Sequence, residues 1–185
     1  FVLPAAIPPY LMLEVVDADT GKPIPCLVRI TDKKGVVKHP GRLYNRGTGL
    51  RKNHPTRQWF CHVGPAEIKG VFGDLKIEAF AGPEYEMAVG TVQIRVGQRV
   101  HRKLKMKRIA HPAKAGWRSG NTHLHIMKLT RAQSDRYLQT VPRCDGLELV
   151  FVSNLRRAKA ELEYITNEHR LADLKKLETA GLKFG

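Results

Sequence analysis

The protein has 185 residues, 42% of them hydrophobic, and carries 32 Lys and Arg against 17 Asp and Glu, a formal net charge of +15. The hydrophobic fraction excludes a disordered chain, the length suits one large or two small domains, and no stretch approaches the roughly 18 apolar residues of a membrane span. The charge excess predicts an anionic partner, either a small anionic substrate or an acidic polymer.

The first 109 residues show the alternation of apolar and polar side chains that is typical of β-strands. The predicted strands are residues 10–17, 26–31, 59–63, 74–80, 91–96 and 100–109. Their predicted inward-facing residues are Leu11, Leu13, Val15, Cys26, Val28, Ile30, Leu75, Ile77, Ala79, Val92, Ile94 and Val96. Short strands separated by Gly and Pro turn signals predict a small antiparallel β-sandwich.

Residues 39–58 interrupt this pattern with Gly, Pro, Asn and Arg and show almost no periodicity. We interpret the segment as a long surface loop. Two interpretations of its charge stay open, a solvated basic insertion and a loop that contacts an anion. Its candidate anion-binding residues are Arg42, Arg46, Arg51 and Lys52.

The strand predicted at residues 100–109 has one apolar face and one face lined by Lys103, Lys105 and Lys107. Lysines along a strand discourage pairing with another molecule, so we interpret it as an edge strand. The alternative is an anion-binding face for these three lysines. A nucleic-acid groove is expected to carry stacking aromatic residues as well, and this strand has none.

Three cysteines, Cys26, Cys61 and Cys144, are too few for a disulfide scaffold or a zinc knuckle. We predict buried free thiols, with a bridge between Cys26 and Cys61 as the alternative. The opening residues resemble what remains after a signal peptide is removed, so a secreted or periplasmic location is favoured, while the compartment stays open.

After a linker at residues 110–116, the pattern changes to alternating strands and helices. We predict strands at 121–127 and 146–152, the second buried on both faces, and helices at 129–141, 154–164 and 171–180. Pro142 is expected to end the first helix, and Gly181 the last. The expected fold class is mainly β with a C-terminal α/β part, divided into domains at 1–109 and 117–185.

The segment 116–125 reads Gly-Trp-Arg-Ser-Gly-Asn-Thr-His-Leu-His. On a strand, side chains at i and i+2 point the same way, so His123 and His125 would lie side by side. Neutral imidazole is the commonest metal ligand, and this arrangement suits a metal-binding strand. The alternative is a chance pair of histidines.

Two resemblances cover nearly the whole chain. Residues 16–32 and 73–85 are similar to hairpin and strand segments of carboxypeptidase regulatory-like (transthyretin-like) β-sandwich domains, which implies an accessory module without chemistry of its own. Residues 116–125 resemble the Gly-Trp-x-Ser-Gly-Asp-x-His-x-His opening of metallohydrolases of the polymerase-and-histidinol-phosphatase (PHP) superfamily, in particular the carbaryl-hydrolase-like branch.

The PHP resemblance implies a seven-stranded β/α barrel that holds zinc, manganese or iron and activates water against phosphoester, carbamate or related bonds. It places His123 and His125 as the first two metal ligands. Asn121 stands where the family has Asp, and Asn154 and Leu155 stand where it has Asp and His. Glu168 and His169 form the only other acid–imidazole pair nearby, whose alternative role is a solvated turn.

These resemblances predict the N-terminal part of a metal-dependent hydrolase that is not active alone. Two β/α units do not close a seven-stranded barrel. We therefore expect a fragment of a longer chain, or a barrel completed by another subunit. The alternative function is a non-catalytic basic β-sandwich that binds an acidic polymer or serves assembly.

Overall fold

The computed structural model describes residues 10–126, 129–153 and 169–185. It is mainly β, with three sheets and few helices. The strands are β1 Tyr10–Asp17, β2 Cys26–Asp32, β3 Tyr44–Asn45, β4 Phe60–His62, β5 Ala66–Lys69, β6 Gly73–Phe80, β7 Ala88–Ile94, β8 Arg99–Met106, β9 Gly120–Leu124, β10 Leu149–Val152 and β11 Lys183–Phe184. The helices are α1 Arg131–Cys144 and α2 Leu171–Lys176, with 3₁₀ turns at Pro55–Gln58 and Pro112–Ala115.

Two sheets, ordered β5-β1-β8 and β3-β4-β2-β6-β7, share one hydrophobic core. Every second residue of their central strands is apolar, so one face of each strand is buried, as predicted. The predicted inward residues of β1, β2 and β6 are all at most 2% exposed. We refer to these two sheets as the β-sandwich-like part.

One pairing in this part differs from the predicted antiparallel arrangement. β1 lies antiparallel to β5 but parallel to β8 along its whole length. About 80 residues separate the two strands in sequence, enough for the long crossover that a parallel pair requires. β8 lies at the end of its sheet, so the edge-strand prediction is confirmed.

The third sheet, ordered β11-β10-β9, is entirely parallel, as expected of alternating strands and helices. Helix α1 connects β9 to β10 and begins with a capping box. The Thr130 side chain accepts from the Gln133 backbone N–H, and the Gln133 side chain accepts from the Thr130 N–H.

Helix α1 packs against the outer face of the five-stranded sheet. A second apolar cluster fills this contact and comprises Leu27, Tyr44, Cys61, Val141 and Cys144. Nearby, Gly146 has a φ of 77°, and a Cβ on it would lie 3.1 Å from the Cα of Gly82. Glycine at both positions lets the two backbones touch.

Several element predictions were wrong in detail. Strand β5 was not predicted, because a four-residue segment carries too little periodicity. Val96 is 77% exposed because it lies beyond the end of β7, and Pro142 lies inside the last turn of α1. Phe151 is 41% exposed, so β10 is not buried on both faces. Helix α2 ends at Lys176, and the helix predicted at 154–164 lies outside the described residues.

Candidate functional site

The side chains of His123 and His125 converge at the carboxyl end of β9. Their Nε2 atoms are 2.6 Å apart, and the two rings lie nearly perpendicular, with centroids separated by 4.3 Å. Two imidazole lone pairs repel each other at this distance unless a proton or another cation lies between them. The prediction that the pair lies side by side is thus met by the geometry of the strand.

Ser153, directly after β10, contacts the far side of both rings. Its carbonyl oxygen is 2.9 Å from Nδ1 of His125, and its Oγ is 3.3 Å from Nδ1 of His123. A carbonyl only accepts, so Nδ1 of His125 carries the hydrogen and its Nε2 is left as a lone pair. Contacts of this kind orient histidine rings in metal sites of other proteins.

Backbone contacts fix Ser153 and the strand that carries the histidines. The Ser153 N–H donates to the carbonyl of Leu124 at 2.9 Å, which joins the ends of β9 and β10. Asn121, at the position where the PHP motif has Asp, uses its Oδ1 to accept the backbone N–H of His123 at 2.9 Å. Its side chain therefore holds the strand in shape.

His169, predicted to pair with Glu168, contacts Asp135 in the structure. Its side chain is fully buried, and its Nε2 lies 2.7 Å from Asp135 Oδ1, which also accepts from Arg131 Nε at 3.0 Å. Asn154 and Glu168 lie outside the described residues. Within the described ranges, no group of three or more His, Cys, Asp or Glu gathers as a metal-binding set.

Arg46 does not serve as a free anion-binding residue, which corrects that prediction. Its guanidinium makes a two-point contact with Asp145, from Nε at 3.0 Å and from the second terminal nitrogen at 2.8 Å, and lies 5.9 Å from the Tyr137 ring centre. Burial raises the pKa of the Asp145 carboxyl, which the Arg46 charge opposes. Through Arg46, the loop at residues 39–58 therefore packs against the end of α1.

The other basic candidates are exposed. Lys103 lies 3.0 Å from Glu14 and lowers the pKa of that carboxyl, and Lys107 lies 3.9 Å from Glu86. Among the residues that the structure describes, four of these candidates have no ion-pair partner. They are Arg42, Arg51, Lys52 and Lys105.

In the described ranges, neither helix has the length and apolar character needed to cross a membrane.

Sequence reasoning missed two features near these sites. Ser153 was not recognised, because a serine at a strand end belongs to no motif and its contacts join residues 28 to 30 positions apart. The contact between Arg46 and Asp145 spans 99 positions, and no motif in the sequence indicates it.

No family model matches this chain, and no curated protein matches it. Among solved structures, part of the chain is similar to the crystal structure of GBS52, the minor pilin in the gram-positive pathogen Streptococcus agalactiae. The sequence identity is 22% and the TM-score 0.37, over 56% of this chain and 44% of that chain. A similarity of this size supports no conclusion about function.

The identification with the PHP superfamily and with carboxypeptidase regulatory-like domains is wrong. No family model of either kind matches this chain. The described third sheet has three parallel strands and does not show the opening of a barrel. Ten motif residues with Asn121 in place of Asp carry too little pattern to establish a family.

Proposed function

We propose that His123 and His125 hold a divalent metal ion, zinc, manganese or iron, and that the protein uses it to hydrolyse a small anionic ester or carbamate. The observation that carries this proposal is the convergence of the two Nε2 atoms, 2.6 Å apart, with Ser153 behind both rings. A metal ion coordinated by both nitrogens replaces their repulsion with two metal–nitrogen bonds of about 2.0–2.1 Å, for which the two rings move slightly apart from the contact seen here.

The position in the sheet supports the same proposal. Parallel strands gather functional side chains at their carboxyl ends, and His123, His125 and Ser153 lie at the ends of β9 and β10. His123 is exposed, so water and a small substrate can reach the pair. A metal ion with two nitrogen ligands keeps further coordination positions, which water and the substrate can occupy.

A metal ion at this position would lower the pKa of a bound water to near 7 and so supply hydroxide at neutral pH. The chain contributes orientation, because Ser153 holds both rings with their Nε2 atoms toward the site. It also contributes charge, since residues 87–134 contain no Asp or Glu and many Lys and Arg. That field attracts an anionic substrate.

The test is a calorimetric titration of the purified chain with Zn²⁺, compared with His123→Ala, His125→Ala and the double variant. We expect one equivalent to bind, and each single variant to weaken binding by about 100-fold or more. His111→Ala, which changes an exposed histidine outside the pair, is the matched control and should bind as the wild type does.

Hydrolysis of the anionic ester p-nitrophenyl phosphate by the metal-loaded protein tests the second half of the proposal. Equal zinc binding by the wild type and the double variant would show that His123 and His125 do not form a metal site. If zinc binding depends on both histidines but hydrolysis does not, the metal site is confirmed and the proposed hydrolase activity is contradicted.

A second function, binding of an acidic polymer, is supported by a different observation. Exposed Lys105, Arg51 and Lys52 have no carboxylate partner in the described part of the chain, and the whole protein carries a formal charge of +15. Unneutralised charges of this kind attract polyanions without further structure.

A further inference from the structure

Two thiols meet where helix α1 packs on strand β4. Successive residues of a strand point to opposite faces, and in β4 Phe60 and His62 point into the core of the β-sandwich-like part. Phe60 belongs to that core, and Nε2 of His62 lies 3.0 Å from the carbonyl of Leu13. Cys61, between them, therefore points outward, and it packs in the cluster that also contains Cys144.

Cys144 approaches the same place from the other element. It is the last residue of α1, it is fully buried, and its Sγ is 3.9 Å from the carbonyl oxygen of His62, the neighbour of Cys61. The neighbouring Cys61 thiol and burial raise the pKa of the Cys144 thiol well above its usual range. The two sulfur atoms thus share one apolar contact.

The third cysteine is on the wrong side of the sheet to take part. Cys26 lies opposite His62 in the pairing of β2 with β4, whereas Leu27 lies opposite Cys61. Cys26 consequently faces the inner core, with its Sγ 3.9 Å from Nδ1 of His62. The alternative of a bridge between Cys26 and Cys61 was therefore wrong.

We propose that Cys61 and Cys144 are an oxidation site, and that a disulfide such as oxidised glutathione converts them to a cystine that ties α1 to β4. One thiolate attacks the glutathione disulfide, forming a mixed disulfide and releasing one glutathione. The other thiolate then displaces the second glutathione. The two cysteines lose two electrons and two protons, which leave in two molecules of reduced glutathione.

Burial decides when this reaction occurs. Both thiols are at most 2% exposed, so attack on the oxidant requires the α1–β4 contact to open. Once formed, the bond closes a loop of about 80 residues and restricts the unfolded chain. The disulfide therefore forms only when the α1–β4 contact opens under oxidising conditions, and once formed it keeps that contact closed.

The test is incubation of the whole chain with oxidised glutathione, with and without a low urea concentration, followed by tryptic digestion without reduction. The three cysteines fall in three different tryptic peptides, residues 1–29, 58–69 and 144–156, so mass spectrometry identifies each pairing. We expect peptides 58–69 and 144–156 to be linked by a disulfide. This disulfide should form faster in urea than without it.

Variants make the result specific. Cys26→Ala should retain the linked pair, whereas Cys61→Ala and Cys144→Ala should lose it, with circular dichroism reporting that each variant folds. The oxidised wild type should melt on the order of 10 °C above the reduced protein. Linked peptides that include residues 1–29, bonds only between two molecules, or stable glutathione adducts at both cysteines would overturn the proposal.

Discussion

Asp17 shows how one buried carboxylate is held ionised by its neighbours. It is 6% exposed, and its Oδ1 accepts the backbone N–H groups of Asp19 at 3.0 Å and Thr20 at 2.8 Å. Its Oδ2 accepts the hydroxyl of Tyr85 at 2.9 Å and lies 3.6 Å from Nε of Arg108. The Thr20 hydrogen bond first, and the others with it, lower the pKa of Asp17 from 3.8 to about 2.

Replacing Asp17 by Asn should therefore lower the free energy of unfolding by about 2 kcal/mol at neutral pH. Because folding lowers the pKa of this group, its contribution is complete above about pH 4, where the unfolded chain is ionised, and disappears as the pH falls through about 2. Urea unfolding at pH values from neutral to acidic measures the difference between the two proteins.

Asp19→Asn is the matched control, since Asp19 is exposed two positions away. It should change stability by at most about 0.5 kcal/mol at every pH. If the difference between Asp17→Asn and the wild type stayed constant as the pH fell, the carboxylate charge would not be the stabilising feature.

At the scale of elements, the segment 39–58 joins the β-sandwich-like part to helix α1. The Tyr44 hydroxyl lies 3.5 Å from the carbonyl of Gln133, the Arg136 guanidinium lies 5.1 Å from the Tyr44 ring centre, and Arg46 binds Asp145. Side chains of the loop thus bind side chains and backbone of helix α1 and the residue that follows it. The loop positions the helix that separates β9 from β10.

Replacing Arg46 by Met should destabilise the fold by about 3 kcal/mol, because it leaves the largely buried Asp145 carboxylate without its partner. The double variant with Asp145→Asn should lose less than the sum of the two single changes, with a coupling of about 1–3 kcal/mol. Urea unfolding of the four proteins gives this coupling.

Arg51→Met provides the control for this cycle, because Arg51 is exposed in the same loop and has no ion pair in the described ranges. Its cost should stay within about 0.5 kcal/mol. Additive effects of Arg46→Met and Asp145→Asn would show that the two side chains do not stabilise each other.

How well the sequence predicts a feature of this structure depends on how far apart in sequence the contacting residues lie. The alternation of Leu11, Leu13 and Val15 predicts β1 because a strand with one buried face leaves that pattern in consecutive residues. The His123–His125 geometry also follows from a two-residue spacing. The roles of Arg46, Ser153 and Cys144 depend on partners 28 to 99 residues away, and no local pattern identifies those partners.

Helix α1 illustrates the same limit at its end. Pro142 was expected to stop the helix, since proline lacks the N–H that the ladder needs. The helix continues to Cys144 because Val141, Pro142 and Cys144 are buried against neighbouring elements. Packing outweighs the loss of one hydrogen bond near a helix terminus.

For the whole molecule, the distribution of charge matters more than the total. Lys103 and Lys107 face Glu14 and Glu86, but all four groups are at least partly exposed, and exposed ion pairs are weak enough for a phosphate to displace the carboxylate. Lys105, between them on β8, has no ion pair with a described residue. The three lysines lie on one face of an edge strand.

We expect the triple variant of Lys103, Lys105 and Lys107 to Gln to bind single-stranded DNA more weakly than the wild type. The logarithm of the binding constant decreases with the logarithm of the salt concentration, and the steepness of this decrease should be smaller by about 2 in the variant. Each of the three lost phosphate contacts contributes about 0.7 to it. Fluorescence anisotropy with a labelled oligonucleotide measures this slope. The control replaces Lys22, Lys34 and Lys114, which are exposed and scattered, and removes the same charge. Equal effects of both triple variants would show that net charge alone attracts the polymer, because a specific β8 face requires the first variant to lose more.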